Sequence, residues 1–268
     1  MKSILAIDPA WTIRGPSGVA LLRRTDDRWS CIGLAPSYAQ FVALADGRPV
    51  DWSSSPKGGA PSAGELLHAA RLLLNETSVD LVTIDMPVAS TLITGRRACD
   101  AAISQKFGGQ GCSTHSPSTS RPGEISDKLR AKFADLGYPL ATTETPQGRT
   151  PALVEVYPHP ALLVLLDAQY RMPYKISRSG RYWPGDSPAE RRRRILQIWQ
   201  KIYTALNGTI SGSELTLPSL DMVGQLSNRL LKPYEDALDA LICGWVGIQY
   251  LEGRCYAYGD GTAAIWTP

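Results

Sequence analysis

The sequence predicts an α/β fold built on a mixed sheet. Three short apolar runs follow one another near the N-terminus, two further apolar runs are separated by helical periodicity, and a long, largely apolar helix lies near the C-terminus. Over 268 residues, 43% hydrophobic and 20% charged composition is ordinary for a globular chain that buries a sizeable core.

The elements are justified in order. Residues 3–7 are apolar and end at Asp8-Pro9, where Pro9 cannot donate to a ladder. Runs at 18–22 and 29–34 follow across short polar links, so the three strands form an antiparallel meander. Residues 52–61 are a Ser/Pro/Gly-rich loop. Ser62 then N-caps a helix, with Glu65 completing a capping box. Leu66, Leu67, Ala70, Leu73 and Leu74 line its apolar face. Residues 79–84 are almost wholly apolar and end in Asp85-Met86-Pro87, which suits a strand buried on both faces in a central parallel position. A helix is predicted at 96–107, a loop at 108–123 and a helix at 125–136 closed by Gly137. A fifth strand covers 152–157 and stops at Pro158. A helix at 188–206 carries a basic cluster, and the last helix starts after Pro233 and runs to about Leu251. The order β-β-β-α-β-α-β-α is that of an RNase H-like domain. It implies one domain over residues 1–268, with a mixed five-stranded sheet, flanking helices, and two helical insertions at about 96–150 and 159–232.

The five cysteines show no C-x-x-C pair, which leaves a zinc or redox motif without support and favours reduced thiols. Asp8 interrupts the stretch where a signal peptide needs apolar residues, and no apolar run is long enough to span a membrane. A cytoplasmic chain without membrane contact is therefore expected. The formal net charge of +3 names no polyanionic partner by itself. Its distribution says more, because nine Lys/Arg and only two acids lie between Arg171 and Lys201.

The chemistry gathers at carboxylates. Asp8 ends the first strand and Asp85 the fourth, and strand ends of this kind border the functional crevice of an open α/β sheet. Two carboxylates aimed at one spot need a proton or a metal. On the last helix Asp236 and Asp239 are spaced i, i+3 and share a face. Asp239 is surrounded by apolar residues, where a lone charge is costly. Plainer readings stand beside these. Asp8 and Asp85 each precede a proline turn, and Asp236 falls in the predicted first helical turn, where an acid suits the dipole.

Ile7-Asp8-Pro9-Ala10, Ile84-Asp85-Met86-Pro87, Arg97-x-Cys99-Asp100, Glu155-Val156-Tyr157-Pro158 and Asp236-Ala-Leu-Asp239-Ala240 together resemble the DUF429 family, predicted RNase H-like nucleases. The last motif also resembles RuvC-type Holliday-junction resolvases, whose final helix carries two metal-binding Asp residues. The resemblance spans nearly the whole chain in order. It implies a two-metal phosphodiesterase site in which Asp8, Asp85, Asp236 and Asp239 hold Mg²⁺ or Mn²⁺, with Glu155 on the fifth strand as a ligand, a base or a strand residue facing a basic insertion. RuvC-type enzymes carry Glu where this chain has Asp85. They act as dimers, which extends the expectation to a homodimer. Two metals about 3.5–4 Å apart would activate a water and stabilise the leaving oxygen, and an oxygen ligand set suits Mg²⁺ or Mn²⁺ better than zinc.

Nucleic acid is the expected partner. Cations contact phosphates and aromatic faces stack bases, and Tyr170 directly precedes the 171–201 segment, which also holds Tyr174, Tyr182, Trp183 and Trp199. Lys175 and Arg181, in its loop, are the better candidates for substrate contact, since Arg191 to Arg194 equally suit a solvated helix face and Trp199 a core position. Arg96 and Arg97 follow the Asp85 strand closely and can either reach a substrate phosphate or pair locally. Gly108-Gly109-Gln110-Gly111 is no Walker loop. His68, His115 and His159 form no spaced metal pair, and no Gly-x-Ser-x-Gly is present. Two other classes compete. A sugar-kinase or actin-like ATPase would follow the first Asp with Gly and Thr/Ser, where this chain has Pro9-Ala10-Trp11. A non-catalytic binding module would not need all the acids that are retained.

Overall fold

The computed structural model describes residues 2–268. Strands β1 (Lys2–Asp8), β2 (Gly18–Thr25) and β3 (Arg28–Ala35) form the meander, followed by helices α1 (Tyr38–Ala45) and α2 (Ala63–Leu73). Next come β4 (Leu81–Ile84), α3 (Ala98–Phe107), α4 (Glu124–Asp135) and β5 (Ala152–Val156). Helices α5 (Pro158–Leu165), α6 (Ser179–Tyr182) and α7 (Pro188–Asn207) precede β6 (Ile210–Ser211), α8 (Leu220–Val223) and α9 (Asn228–Leu251). The described chain ends on β7 (Tyr256–Gly259) and β8 (Ala264–Thr267).

The sheet is mixed and has eight strands in the order β6-β3-β2-β1-β4-β5-β8-β7, three more than the sequence suggests. The extra ones are the two-residue β6 and a C-terminal hairpin. In that hairpin β8 is parallel to β5 and β7 antiparallel to β8. These strands are short, which leaves little alternation to read. The meander is antiparallel as expected, and β4 and β5 are parallel to β1 and to each other in turn.

Strand parity sorts the core into two layers. Ile4, Ala6, Ala20 and Leu22 pack with the interior of α5, α7 and α9. Leu5, Ile7, Val19 and Leu21 face the opposite way, onto Phe41 of α1, Leu66 of α2 and Phe133 of α4. Helix α9 lies tight on the sheet because Gly244 and Gly247 carry no side chain. A Cβ at Gly244 would sit 2.6 Å from Leu22, and one at Gly247 2.9 Å from Thr83.

Helix α9 begins earlier than the sequence reading, which starts it after Pro233. Ser227 is the N-cap and accepts from the Leu230 N–H at 3.3 Å. Pro233 therefore lies inside the helix, and Asp236 stands beyond the first turn. The helix-dipole explanation for Asp236 falls with that correction. Helices α1 and α5 were not anticipated. Pro158, which ends β5, also opens α5, a position where its missing N–H has no cost. All five cysteines are buried and unpaired. Among the described residues, no helix is long and apolar enough to cross a membrane.

Candidate functional site

The period of two along β1 decides where Asp8 points. It shares parity with Ile4 and Ala6, so its carboxylate faces α9. On β4, Val82 and Ile84 face the α2 layer, which turns Thr83 and Asp85 toward α9. The Asp85 N–H donates to the Ile7 carbonyl at 3.0 Å, holding Asp85 alongside Asp8. Across the other ladder Asp8 is paired with Gly18, where the backbone of Asp236 presses directly on β2. One ligand oxygen from each of Asp8, Asp236 and Asp239 falls within 4.8 Å of the others.

Two acids on α9 are each met by a lysine. Lys232, one turn before Asp236, contacts its Oδ1 and donates to Glu235 Oε1 at 2.9 Å. Lys175 comes from the segment before α6, contacts Asp239 Oδ2 and lies 4.0 Å from Glu235. The Tyr174 hydroxyl donates to Asp239 Oδ1 at 2.7 Å, and the Ile176 N–H to Glu235 Oε2 at 2.5 Å. Asp239 is 0% exposed and both its oxygens are partnered. Asp236 Oδ2 is buried with no hydrogen-bond partner among the described residues.

Electrostatics follow from this crowding. Burial pushes Asp8 up to about 7, and Asp239 pushes the same way. Burial, reinforced by Asp8, lifts Asp85 well above the usual carboxylate range. Asp236 rises likewise through burial, against Lys232. Burial would also raise Glu235, but Lys232 and Lys175 outweigh it and the group ends below its ordinary value. Burial alone would discharge Lys175; Asp239 and Glu235 reverse that and raise it well above normal. An oxygen-only donor set, close spacing and an unpartnered buried carboxylate oxygen match the needs of a hard divalent cation.

These acids border a cavity of about 610 Å³. Asp8, Asp85 and Asp236 form part of its lining, and Arg121, Arg171 and Arg178 another part. Each of the last two arginines holds a histidine that also lines the cavity. Arg171 meets His159 Nε2 at 2.6 Å, and Arg178 meets His115 Nε2 at 3.1 Å. Burial and these cations lower both histidines, so they stand neutral near pH 7. Trp11 lies under Arg121, 5.7 Å from its guanidinium.

Glu155 belongs elsewhere. On β5 Val154 and Val156 face α9, so Glu155 points to the opposite side of the sheet. There Arg97 clamps it with bonds of 2.6 and 2.7 Å, and holds Asp100 at 2.9 Å. Val88 N–H adds a bond of 3.0 Å to Glu155. The Arg97 side chain is only 8% exposed. Cys99, Asp100 and Glu155 also bring ligand atoms close together, but a guanidinium already satisfies both carboxylates. Arg96 bonds to Ser104, Ser116 and the Asp100 carbonyl. Arg181 is exposed on α6 and lies outside the cavity lining. The Arg191–Arg194 run is engaged locally, with Trp183, Gly224, Glu190 and Asp186.

The structure thus brings together Asp8, Asp85, Asp236, Asp239 and Lys175. It sets Glu155 and Arg97 in a neighbouring buried cluster, which shares a small cavity of about 50 Å³ with Asp85. Sequence reading missed Glu235 and Lys232, although i, i+4 spacing to Asp239 and Asp236 pointed to both. Tyr174, Arg121, Arg171 and Arg178 had no local signal of this kind.

No curated protein and no solved structure matches the chain. A family model does, over residues 65–263, which is well over half of the chain. It takes in Asp85, Glu155, Asp236 and Asp239, and on that match the chain belongs to the DUF429 family, described as proteins of unknown function.

Proposed function

We propose that this protein is an RNase H-like hydrolase, a single domain over residues 1–268, that cuts phosphodiester bonds in nucleic acid with the help of Mg²⁺ or Mn²⁺. The observation that carries the reading is the unpartnered, buried Asp236 Oδ2 beside Asp8, at a cavity also lined by three arginines. The antiparallel β1–β3 meander continued by parallel β4 and β5 supports the fold assignment.

Asp8, Asp85 and Asp236 would hold the cation, and Asp239 would complete the anionic field. A divalent cation supplies Lewis acidity toward a water and a phosphate oxygen. The chain's own residues do the rest. Arg121, Arg171 and Arg178 neutralise and orient the phosphate, since guanidinium forks match phosphate geometry. Trp11 offers a face for a base. Neutral His159 and His115 keep the arginine forks in place. Arg97 fixes Glu155 and the Val88 carbonyl, which shapes the loop after Asp85. Arg96 suits a phosphate contact farther along the strand, and Arg181, exposed outside the cavity, would add only a weak one.

A labelled panel of single strand, duplex, RNA–DNA hybrid, four-way junction and a small phosphodiester tests this with Mg²⁺ and Mn²⁺, beside Asp8→Asn. Metal-dependent cleavage that disappears in the variant is expected. Cleavage that is insensitive to chelator, or equal in the two proteins, would reject the reading.

A further inference from the structure

Three consecutive residues before α6 each place one donor on the acids of α9. The Tyr174 hydroxyl and the Lys175 ammonium take the two oxygens of Asp239, and the Ile176 N–H takes Glu235. The segment is anchored from behind, because Trp199 of α7 donates to the Tyr174 carbonyl at 2.8 Å. Tyr174 is fully buried, and the Lys175 ammonium also lies over its ring, 4.9 Å from the centroid. Lys175 is therefore built into the acid cluster. A solvated lysine would swing through many rotamers, whereas this one is fixed at both its stem and its tip.

The carboxylates divide accordingly. Asp239 has both oxygens occupied, and Glu235 is shared by Lys175, Lys232 and a backbone N–H. Asp236 keeps one oxygen free, and the Asp8 and Asp85 side chains receive no hydrogen bond from the described residues. Free oxygens for a cation therefore lie on the Asp8–Asp85–Asp236 side alone. Lys232 meets Asp236 through Oδ1 only, whereas Asp239 has both oxygens taken, one of them by the Lys175 ammonium.

We propose that the centre binds one divalent cation per chain and that the Lys175 ammonium fills the place of a second. This rests on the metal reading above and departs from the two-metal arrangement that the family resemblance implies. Asp8, Asp85 and Asp236 are the ligands of the one cation. Lys175 supplies a fixed positive charge that requires no metal, so activity would saturate with a single binding event.

The experiment is a Mn²⁺ titration of the metal-stripped full chain, read by equilibrium dialysis and electron paramagnetic resonance. One equivalent with the spectrum of an isolated ion is expected. Lys175→Met should rise to two equivalents with an exchange-coupled signal, and Lys175→Arg should stay at one. A coupled pair in the unaltered protein overturns the inference while leaving the metal reading intact. So does Lys175→Met remaining at one equivalent. Absence of any binding by the unaltered protein would instead remove the metal reading itself. Should Lys175→Met fail to fold, Lys175→Gln takes its place, with two equivalents expected and one equivalent overturning the inference.

Discussion

Gly18 is the cross-strand partner of Asp8, and a side chain at Gly18 would overlap the carbonyl of Asp236. A missing Cβ on β2 thus lets α9 bring its acids to the end of β1. Backbone cannot rotate away as a flexible side chain can, so the contact tolerates no filling. Gly18→Ala should cost about 3 kcal/mol, at the upper end for overpacking. It should also displace Asp236 from Asp8. Urea denaturation reads the first effect, and Mn²⁺ affinity the second. Full stability with unchanged Mn²⁺ binding would show that α9 can shift without consequence.

Asp8 gives a pH signature in metal-stripped protein. Its carboxyl is raised from 3.8 unfolded to about 7 in the folded chain, by burial and then by Asp239. Between those values the folded state holds a proton that the unfolded state has released. Stability from this group is therefore greatest below about pH 4, falls as pH rises, and levels off above pH 7. Asp8→Asn removes that slope. Its stability relative to the unaltered protein should improve steadily from pH 4 to 7, by on the order of 4 kcal/mol in total. Chemical denaturation across that range, with chelator present, measures the difference. A difference independent of pH would mean that Asp8 is ionised throughout.

How far the site was legible follows from distances along the chain. Asp8 and Asp85 could be placed because Pro9 and Pro87 mark the ends of two runs that must pair. Asp236 and Asp239 could be paired from helical spacing alone. Glu155 could not be assigned to a face, because β5 is apolar on both sides and its parity shows only in the folded sheet. Lys175 lies 64 residues before Asp239, and no local pattern ties the two. Pro233 misplaced the start of α9, since a proline reads most naturally as a first helical residue. Ser227, whose side chain caps the helix, was the better signal. The C-terminal hairpin was missed because its two strands have four residues each, too few for a period to stand out.

Arg97 separates support from substrate contact. Its guanidinium joins Glu155 and Asp100 in a buried network and donates to the Val88 carbonyl at 2.8 Å. Removing it strands two carboxylates away from water. Arg97→Met should lose about 3–5 kcal/mol of stability, the usual cost of breaking a buried ion pair from one side. Arg97→Lys should recover little, because one ammonium cannot reproduce the fork. Adding Glu155→Gln to Arg97→Met should restore part of the loss. Thermal and denaturant melts of the set test this. A large change in KM at unchanged stability would instead make Arg97 a substrate contact.

The arginines of the cavity wall should govern affinity for a polyanion. Arg121, Arg171 and Arg178 line the same cavity as Asp8 and Asp85, whereas Arg181 is exposed outside it. A phosphate contact contributes through release of condensed counterions, so its loss flattens the dependence of binding on salt. Arg171→Ala and Arg178→Ala should each weaken oligonucleotide binding by about 1 kcal/mol and lower the salt slope by about one. Arg171 also holds His159, so its replacement should free that ring, seen as a changed His159 signal in proton NMR. Arg181→Ala should change affinity by less than about twofold, as expected for a distant exposed charge. Fluorescence anisotropy between 50 and 200 mM salt gives both quantities. If Arg181→Ala weakened binding as much as Arg171→Ala, the path of the strand would run over α6 and bypass the wall of the carboxylate cavity.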